Sequence, residues 1–237
     1  MFQTAEYTNI GGRSCNEDSV AGTLWGEDGI CLVVADGLGG HGGGDKASQA
    51  VCRTVCSNWN GAATEETLRT LLVMAHGNVL TLQDPRVAMK STAVALAIRG
   101  GTAAWAHVGD TRLYHFHDGH LVFQTRDHSA SQLAVMLGDI TPDQIRFHTD
   151  RNRVLRALGQ TGELQVETGS EVLAPGHHAF LLCSDGFWEY VLEAEMEADL
   201  CYADSAEEWL ASMRTRLGQR IPSDNDNNTA AAVWCEI

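Results

Sequence analysis

The sequence predicts a four-layer α/β sandwich in the α+β sense: two antiparallel β-sheets packed face to face, with helices on both outer sides. Three observations carry it. Apolar runs long and bulky enough to be buried strands recur from residue 30 to residue 236. Two of the links between such runs are tight two-residue turns. Helical periodicity comes in two groups separated by strands, each apolar on one face only, as covering layers are.

In order, the strand candidates are 4–10, 18–25, 30–36, 91–99, 102–109, 112–117, 120–125, 164–168, 179–184 and 229–236. Arg99-Gly100-Gly101-Thr102 and His117-Asp118-Gly119-His120 have the turn chemistry of hairpins, so residues 91–125 are expected to run as an antiparallel meander. The first helices are expected at 45–59 and 64–83. In the second, Leu68, Leu71, Leu72, Ala75, Val79 and Leu82 share one face, Thr64 is the N-cap, and Glu65 and Glu66 suit the positive helix start. A second helical group lies between 125 and 229. It is signalled by Thr141-Pro142-Asp143-Gln144 and by a capping box at Ser205–Glu208 ahead of Trp209, Leu210, Met213 and Leu217.

The 237 residues read as one domain, 1–237, without repeats, low-complexity tracts or Pro/Ser-rich linkers. A formal charge of −15 argues against a nucleic-acid backbone or an anionic membrane surface as partner. No apolar stretch approaches the roughly 20 residues of a membrane span. The N-terminus lacks the basic and apolar regions of a signal peptide. Seven cysteines with no C-x-x-C pair suit reduced thiols, and Cys31 and Cys183 read as core residues. A cytoplasmic monomer is expected.

Function is foreshadowed by three apolar runs that each meet an aspartate beside a glycine: Cys31–Ala35 before Asp36-Gly37, Ala104–Val108 before Gly109-Asp110, and Phe180–Ser184 before Asp185-Gly186. Carboxylates at the ends of neighbouring strands converge, and converging buried carboxylates repel unless a cation neutralises them. One Asp-Gly alone is an ordinary turn; three point to a hard-metal site. Arg13-Ser-Cys-Asn-Glu17-Asp18 and Asp226-Asn227-Asn228-Thr229 add further charged and polar groups.

The loop Gly37–Gly44 satisfies G-x-G-x-x-G at Gly37, Gly39 and Gly42, a dinucleotide fingerprint. Asp36 ahead of it would repel a pyrophosphate, and the following hairpins do not make a parallel βαβ unit. A Walker A loop fails because Lys46 follows Asp45. Beside a ligating aspartate, glycines allow close backbone approach to an ion, so that a carbonyl such as that of Gly37 can serve as a ligand.

Eight stretches in order resemble the PPM (type 2C) family of metal-dependent protein serine/threonine phosphatases, in its bacterial form. They are residues 13–18, Val34–His41, Ser91–Val94, His107–Arg112, Asp127–Ser129, Arg151–Gly159, Ser184–Gly186 and Asp226–Thr229, and they span nearly the whole chain. The resemblance implies two Mn²⁺ or Mg²⁺ ions at one end of the sandwich. Asp36 bridges them in that reading, the Gly37 carbonyl binds one, Asp185 and Asp226 hold the other, and Glu17 and Asp18 contribute directly or through water. Asp110 with Asp185 matches a third, weaker site. All-oxygen donors suit such ions.

The implied chemistry is hydrolysis of phosphoserine and phosphothreonine on proteins by direct attack of a metal-bridging hydroxide, with no phosphoenzyme. Arg13 suits the role of phosphate clamp. His41, three residues after Leu38 where many members carry histidine, is the candidate general acid or a loop anchor, and a metal-bound water is a further possibility. Residues 138–150 match the family's flap, where Arg146, Phe147 and His148 are candidate substrate contacts. The implied partners are a phosphoprotein and a cognate bacterial Ser/Thr kinase; the flap and the Asp127-to-Gly159 region resemble secretion-system-associated members, whose substrate would be a phosphorylated scaffold protein. A catalytically silent phosphoprotein-binding relative and a dinucleotide-dependent oxidoreductase are the alternatives.

Overall fold

A computed structural model describes residues 1–39, 43–84, 87 and 89–237. In chain order the strands are β1 (Gln3–Asn9), β2 (Asp18–Trp25), β3 (Gly29–Leu38), β4 (Lys90–Ser91), β5 (Ala93–Arg99), β6 (Thr102–Val108), β7 (Arg112–His117), β8 (His120–Gln124), β9 (Glu167–Val172), β10 (His177–Cys183) and β11 (Asn228–Glu236). They form two sheets, β1-β11-β10-β7-β8 and β2-β3-β5-β6-β9, with β4 paired to β3. Every pairing is antiparallel. The helices are α1 (Gly44–Asn58), α2 (Glu65–Leu82), α3 (Ala130–Leu137), α4 (Asp185–Trp188), α5 (Glu193–Tyr202) and α6 (Ala206–Arg220).

The central strands are apolar throughout because both their faces are buried, and the period of two sorts residues between layers. Ile30, Leu32, Val34, Val94, Leu96 and Ile98 meet Leu113, Phe180, Leu182 and Val233 in the core between the sheets. On the opposite face, Ala35, Ala93, Ala95, Ala97, Ala104 and Ala106 give α1 and α2 a low surface to lie on, covered by Val51, Val55, Leu68, Leu72 and Ala75. The second sheet packs Tyr114, Phe116, Leu181 and Ala232 against Met196, Leu200, Trp209, Leu210 and Met213 of α5 and α6. Four layers result, as expected. The antiparallel pairing also removes the parallel βαβ unit that a dinucleotide fingerprint requires.

Both predicted turns are present, with positive φ at Gly100 and Gly101 and at Asp118 and Gly119. The meander is not. β5-β6 and β7-β8 are hairpins in different sheets, and Gly109, at φ +104°, turns the chain from one sheet to the other. The strand expected at 164–168 lies at Glu167–Val172, an edge strand with a polar sequence. The capped segment after Thr141 is a 3₁₀ helix, Pro142–Phe147, with Gln144 Oε1 accepting the Thr141 N–H at 2.8 Å as the box requires. Thr64 caps α2 by accepting from the Thr67 N–H, and Ser205 caps α6 by accepting from the Glu208 N–H. Glu208, however, reaches back to the Asp204 N–H rather than to Ser205.

Candidate metal centre

Strand register assembles the first part of the site. β2 and β3 pair with Asp18 directly opposite Asp36. Ser184, at the end of β10, donates its hydroxyl to Asp18 Oδ2 (2.7 Å) and accepts the Thr229 N–H of β11 (3.0 Å), which ties the two sheets together at this end. Asp185 follows as the first residue of α4. Asn227 clasps the N-terminal loop: its Oδ1 accepts the Glu17 N–H (2.8 Å), and its Nδ2 donates to the carbonyls of Ile10 (2.7 Å) and Cys15 (3.0 Å). Asp110 stands on the crossover between sheets, its carbonyl held by Trp188 Nε1–H at 3.0 Å.

Gly37 must be glycine. Its N–H donates to the Glu17 carbonyl (3.1 Å), and a Cβ there would sit 2.6 Å from that oxygen and on the Gly44 backbone. Gly37→Ala is expected to separate β3 from these two segments, lowering the melting temperature and cutting activity together; parallel melts and assays check this.

Electrostatics set the character of the site. Burial pushes the Asp36 carboxyl well above the carboxylate range, and the charges of Asp18, Asp185, Asp110 and Asp226 push it further. Asp185 is raised in the same way, by burial and then by Asp110, Glu189, Asp226 and Asp18. Asp18 is pushed up to about 6, burial outweighing the hydrogen bonds from Ser184 and Thr229. Asp110 reaches about 7, through burial and then the charge of Asp127. Burial also raises Glu17.

Among the described residues, no lysine or arginine forms an ion pair with Asp18, Asp36, Asp110 or Asp185. Asp18 Oδ1 is buried without a hydrogen-bond partner. Hard oxygen donors in excess of any protein cation, one of them orphaned, fit a divalent-ion centre.

Gly37 follows Asp36 on β3, and the other sequence-predicted ligands, Glu17, Asp18, Asp36, Asp110, Asp185 and Asp226, thus belong to one electrostatic cluster. Arg13 is at its rim, 2.7 Å from Asp226 Oδ2. His41 lies outside the described residues. Ser184 and Asn227, which hold these segments together, escaped sequence reasoning, although each adjoins a candidate aspartate. Ser91 also went unassigned; its hydroxyl and the Thr92 N–H bind the Asp36 carbonyl at 2.9 and 2.8 Å.

Of the candidate substrate contacts, Arg146 is instead buried, donating to the carbonyls of Trp188 and Val191 and to Glu193. Phe147 is exposed. The hairpin histidine His115 is engaged by His178 (2.9 Å) and Glu171 (2.6 Å), a link between the two sheets.

Fold and acidic mouth together define a divalent-metal hydrolase. The protein phosphatase 2C family model matches residues 7–225, and the chain belongs to that family. A serine/threonine phosphatase (stp) of Listeria welshimeri is 32% identical over 176 residues, covering 70% of this chain and 69% of the relative. The structure of PppA, described as a key regulatory component of T6SS in Pseudomonas aeruginosa, superposes with a TM-score of 0.81 at 32% identity, covering 100% of this chain and 98% of that one. The catalytic domain of the serine/threonine protein phosphatase PstP, in complex with two manganese ions, superposes with a TM-score of 0.81 at 27% identity, covering 98% and 97%. The chain is a bacterial-type, divalent-metal-dependent protein serine/threonine phosphatase acting on phosphorylated proteins. The oxidoreductase alternative falls with this. No described helix is long and apolar enough to cross a membrane.

Proposed function

We propose that residues 1–237 form one catalytic domain in which Asp36, the Gly37 carbonyl, Glu17, Asp18, Asp185 and Asp226 hold two Mn²⁺ or Mg²⁺ ions, and Asp110 with Asp185 holds a weaker third. The convergence of Asp18, Asp36, Asp110 and Asp185, with no lysine or arginine ion-paired to them among the described residues, carries this reading. Ions bound there acidify water and neutralise charge on the phosphoryl oxygens.

The chain's own groups do the rest. The exposed Arg13 guanidinium forks onto the phosphate, and its contact with Asp226 holds it at the rim. Ser184 and Asn227 keep the ligand segments aligned. His41 gives a proton to the leaving seryl or threonyl oxygen. The segment 138–150 acts as a flap, with exposed Phe147 facing substrate.

A cytoplasmic monomer opposing a Ser/Thr kinase is the setting we infer, with a phosphorylated scaffold protein as substrate; the similarity to PppA, a regulatory component of T6SS, supports a secretion-system setting. A silent relative is disfavoured because every expected carboxylate is present.

The test is hydrolysis of para-nitrophenyl phosphate and a phosphothreonine peptide by chelator-stripped protein, with Mn²⁺ or Mg²⁺ restored. Restored turnover is expected; folded protein that takes up no metal would sink the ligand assignments, and no turnover from folded, metal-loaded protein would sink the catalytic reading. Arg13→Ala is expected to lower kcat/KM about 10–100-fold, the worth of a charge-assisted hydrogen bond. An unchanged value would remove Arg13 from the phosphate site.

A further inference from the structure

His107, His128 and Glu167 bring three potential ligand atoms within 4.8 Å of one another, beside the turn that carries Asp110. A second metal site is the first reading of such a group, and the hydrogen bonds decide against it. His128 Nδ1 accepts the Gly109 N–H at 3.1 Å, so the one proton of the neutral ring is on Nε2, 3.3 Å from Glu167 Oε2. His107 Nε2 lies 2.9 Å from the Arg126 carbonyl, which only accepts, so that nitrogen is protonated and Nδ1 is left bare and buried; the exclusion therefore rests on His128, which has no free lone pair. The rings stack at 4.7 Å between centroids with 13° between planes. An ion in the plane of one ring therefore lies out of the plane of the other.

What remains is a carboxylate–imidazole–backbone relay. We propose that His128 is a positioning residue for the metal centre: Glu167 fixes its tautomer through Nε2–H, and the bare Nδ1 holds the Gly109 amide and, with it, the direction of the Asp110 carboxylate. The grip is two-sided, since the His128 N–H donates to the Gly109 carbonyl at 2.8 Å. The turn needs holding because Gly109 is at φ +104°, and a Cβ there would strike Thr92. Trp188 fixes the next carbonyl, that of Asp110, so both peptides flanking the Asp110 side chain are tied. His107, stacked beneath His128, keeps the ring from swinging away. The inference rests on the assignment of Asp110 as a ligand of the weaker ion. Glu167 comes from the edge strand β9, so the relay reaches the centre from a strand that carries none of the proposed ligands.

The test measures Mn²⁺ binding itself, by titration calorimetry and by the paramagnetic resonance of free Mn²⁺, on the chelator-stripped 237-residue protein, whose fold is checked by circular dichroism. Asp110→Asn is expected to abolish the weak class of site. His128→Leu is expected to weaken the same class about 10–100-fold and to leave the tight sites within about twofold, the usual scale for a residue behind a ligand. His128→Asn, whose Oδ1 takes the place of Nδ1, should recover most of that affinity, whereas His128→Gln, whose oxygen falls at the Nε2 position, should not. Glu167→Ala should fall between.

Weak-site affinity unchanged in folded His128→Leu, where Asp110→Asn loses it, overturns the relay alone. Equal affinity in the Asn and Gln variants does the same, even if the leucine variant fails to fold. Unchanged binding in Asp110→Asn overturns the Asp110 assignment and the relay with it.

Discussion

Asp36→Asn is expected to lose activity by about 10³-fold or more, the scale for removing a principal stabiliser of transition-state charge, and yet to stabilise the metal-free protein. The two effects share one cause. Asp36 is raised by burial and by four other carboxylates, so without an ion its charge works against the fold. Removing it should raise the melting temperature of the metal-free protein.

The sign with pH is fixed. Carboxyls raised in the folded state bind more protons there than in the unfolded chain, so stability falls as pH rises through the window between the two values. That window runs from the ordinary 3.8 to about 6 for Asp18 and about 7 for Asp110. In chelator, the advantage of Asp36→Asn over the parent should therefore widen from pH 4 to pH 7. In saturating Mn²⁺ the order should reverse, because the parent gains the binding energy of ions that the variant holds poorly. Melts across pH, with and without Mn²⁺, check all three statements; a variant less stable than its parent in chelator would refute the account of the cluster.

Arg112→Ala should produce the largest loss of stability. Arg112 is 2% exposed, and its guanidinium forks onto Asp127 at 2.8 and 2.7 Å, donates to Tyr114 at 3.1 Å and stacks 3.4 Å from the Trp188 ring centroid. Truncation leaves Asp127 buried without its cation, at a cost of about 3–5 kcal/mol. For a chain of this size that lowers the melting temperature by roughly 10 °C. Arg112→Met with Asp127→Leu should recover much of the loss, since no lone charge then remains. Melts at one fixed Mn²⁺ concentration separate this from ligand effects. Activity should fall beyond the stability loss, because Trp188, on which Arg112 lies, also holds the Asp110 carbonyl.

Layer order and most strands were legible because the central strands are buried on both faces, so residues such as Ile30–Ala35 and Phe180–Cys183 are apolar without a break. Edge elements were not. β9 reads Glu-Thr-Gly-Ser-Glu-Val and is placed by pairing with β6 and by Arg69 and Glu65 of α2, contacts no local pattern announces. The helices α3 and α5 were missed for a related reason: α5 buries only Met196, Asp199 and Leu200, too narrow a stripe for periodicity to find. The crossover at Gly109 looked like a hairpin because a positive-φ glycine between two strands serves either purpose.

At the proposed metal centre, the carboxylates were visible through their glycine neighbours. Their supports were not: Ser184 and Asn227 act on partners about 45 to 217 residues away. Glu167 was likewise hidden, its link to His128 spanning 39 residues.

The clasp made by Asn227 bears on how the enzyme comes into being. It joins residues 10–17 to the start of β11, across more than 200 positions of chain. Contacts of such long separation form late, after the entropy of closing the loop has been met. During synthesis, therefore, a nascent chain can pair β2 with β3 and form the first hairpins while β1 still waits for β11, the strand it pairs with, and the centre is incomplete. Asp226, Asn227 and β11 must emerge before the N-terminal loop has anything to close upon. The phosphatase is in this sense timed by its own topology: partial products of translation carry most of the carboxylates but none of the activity.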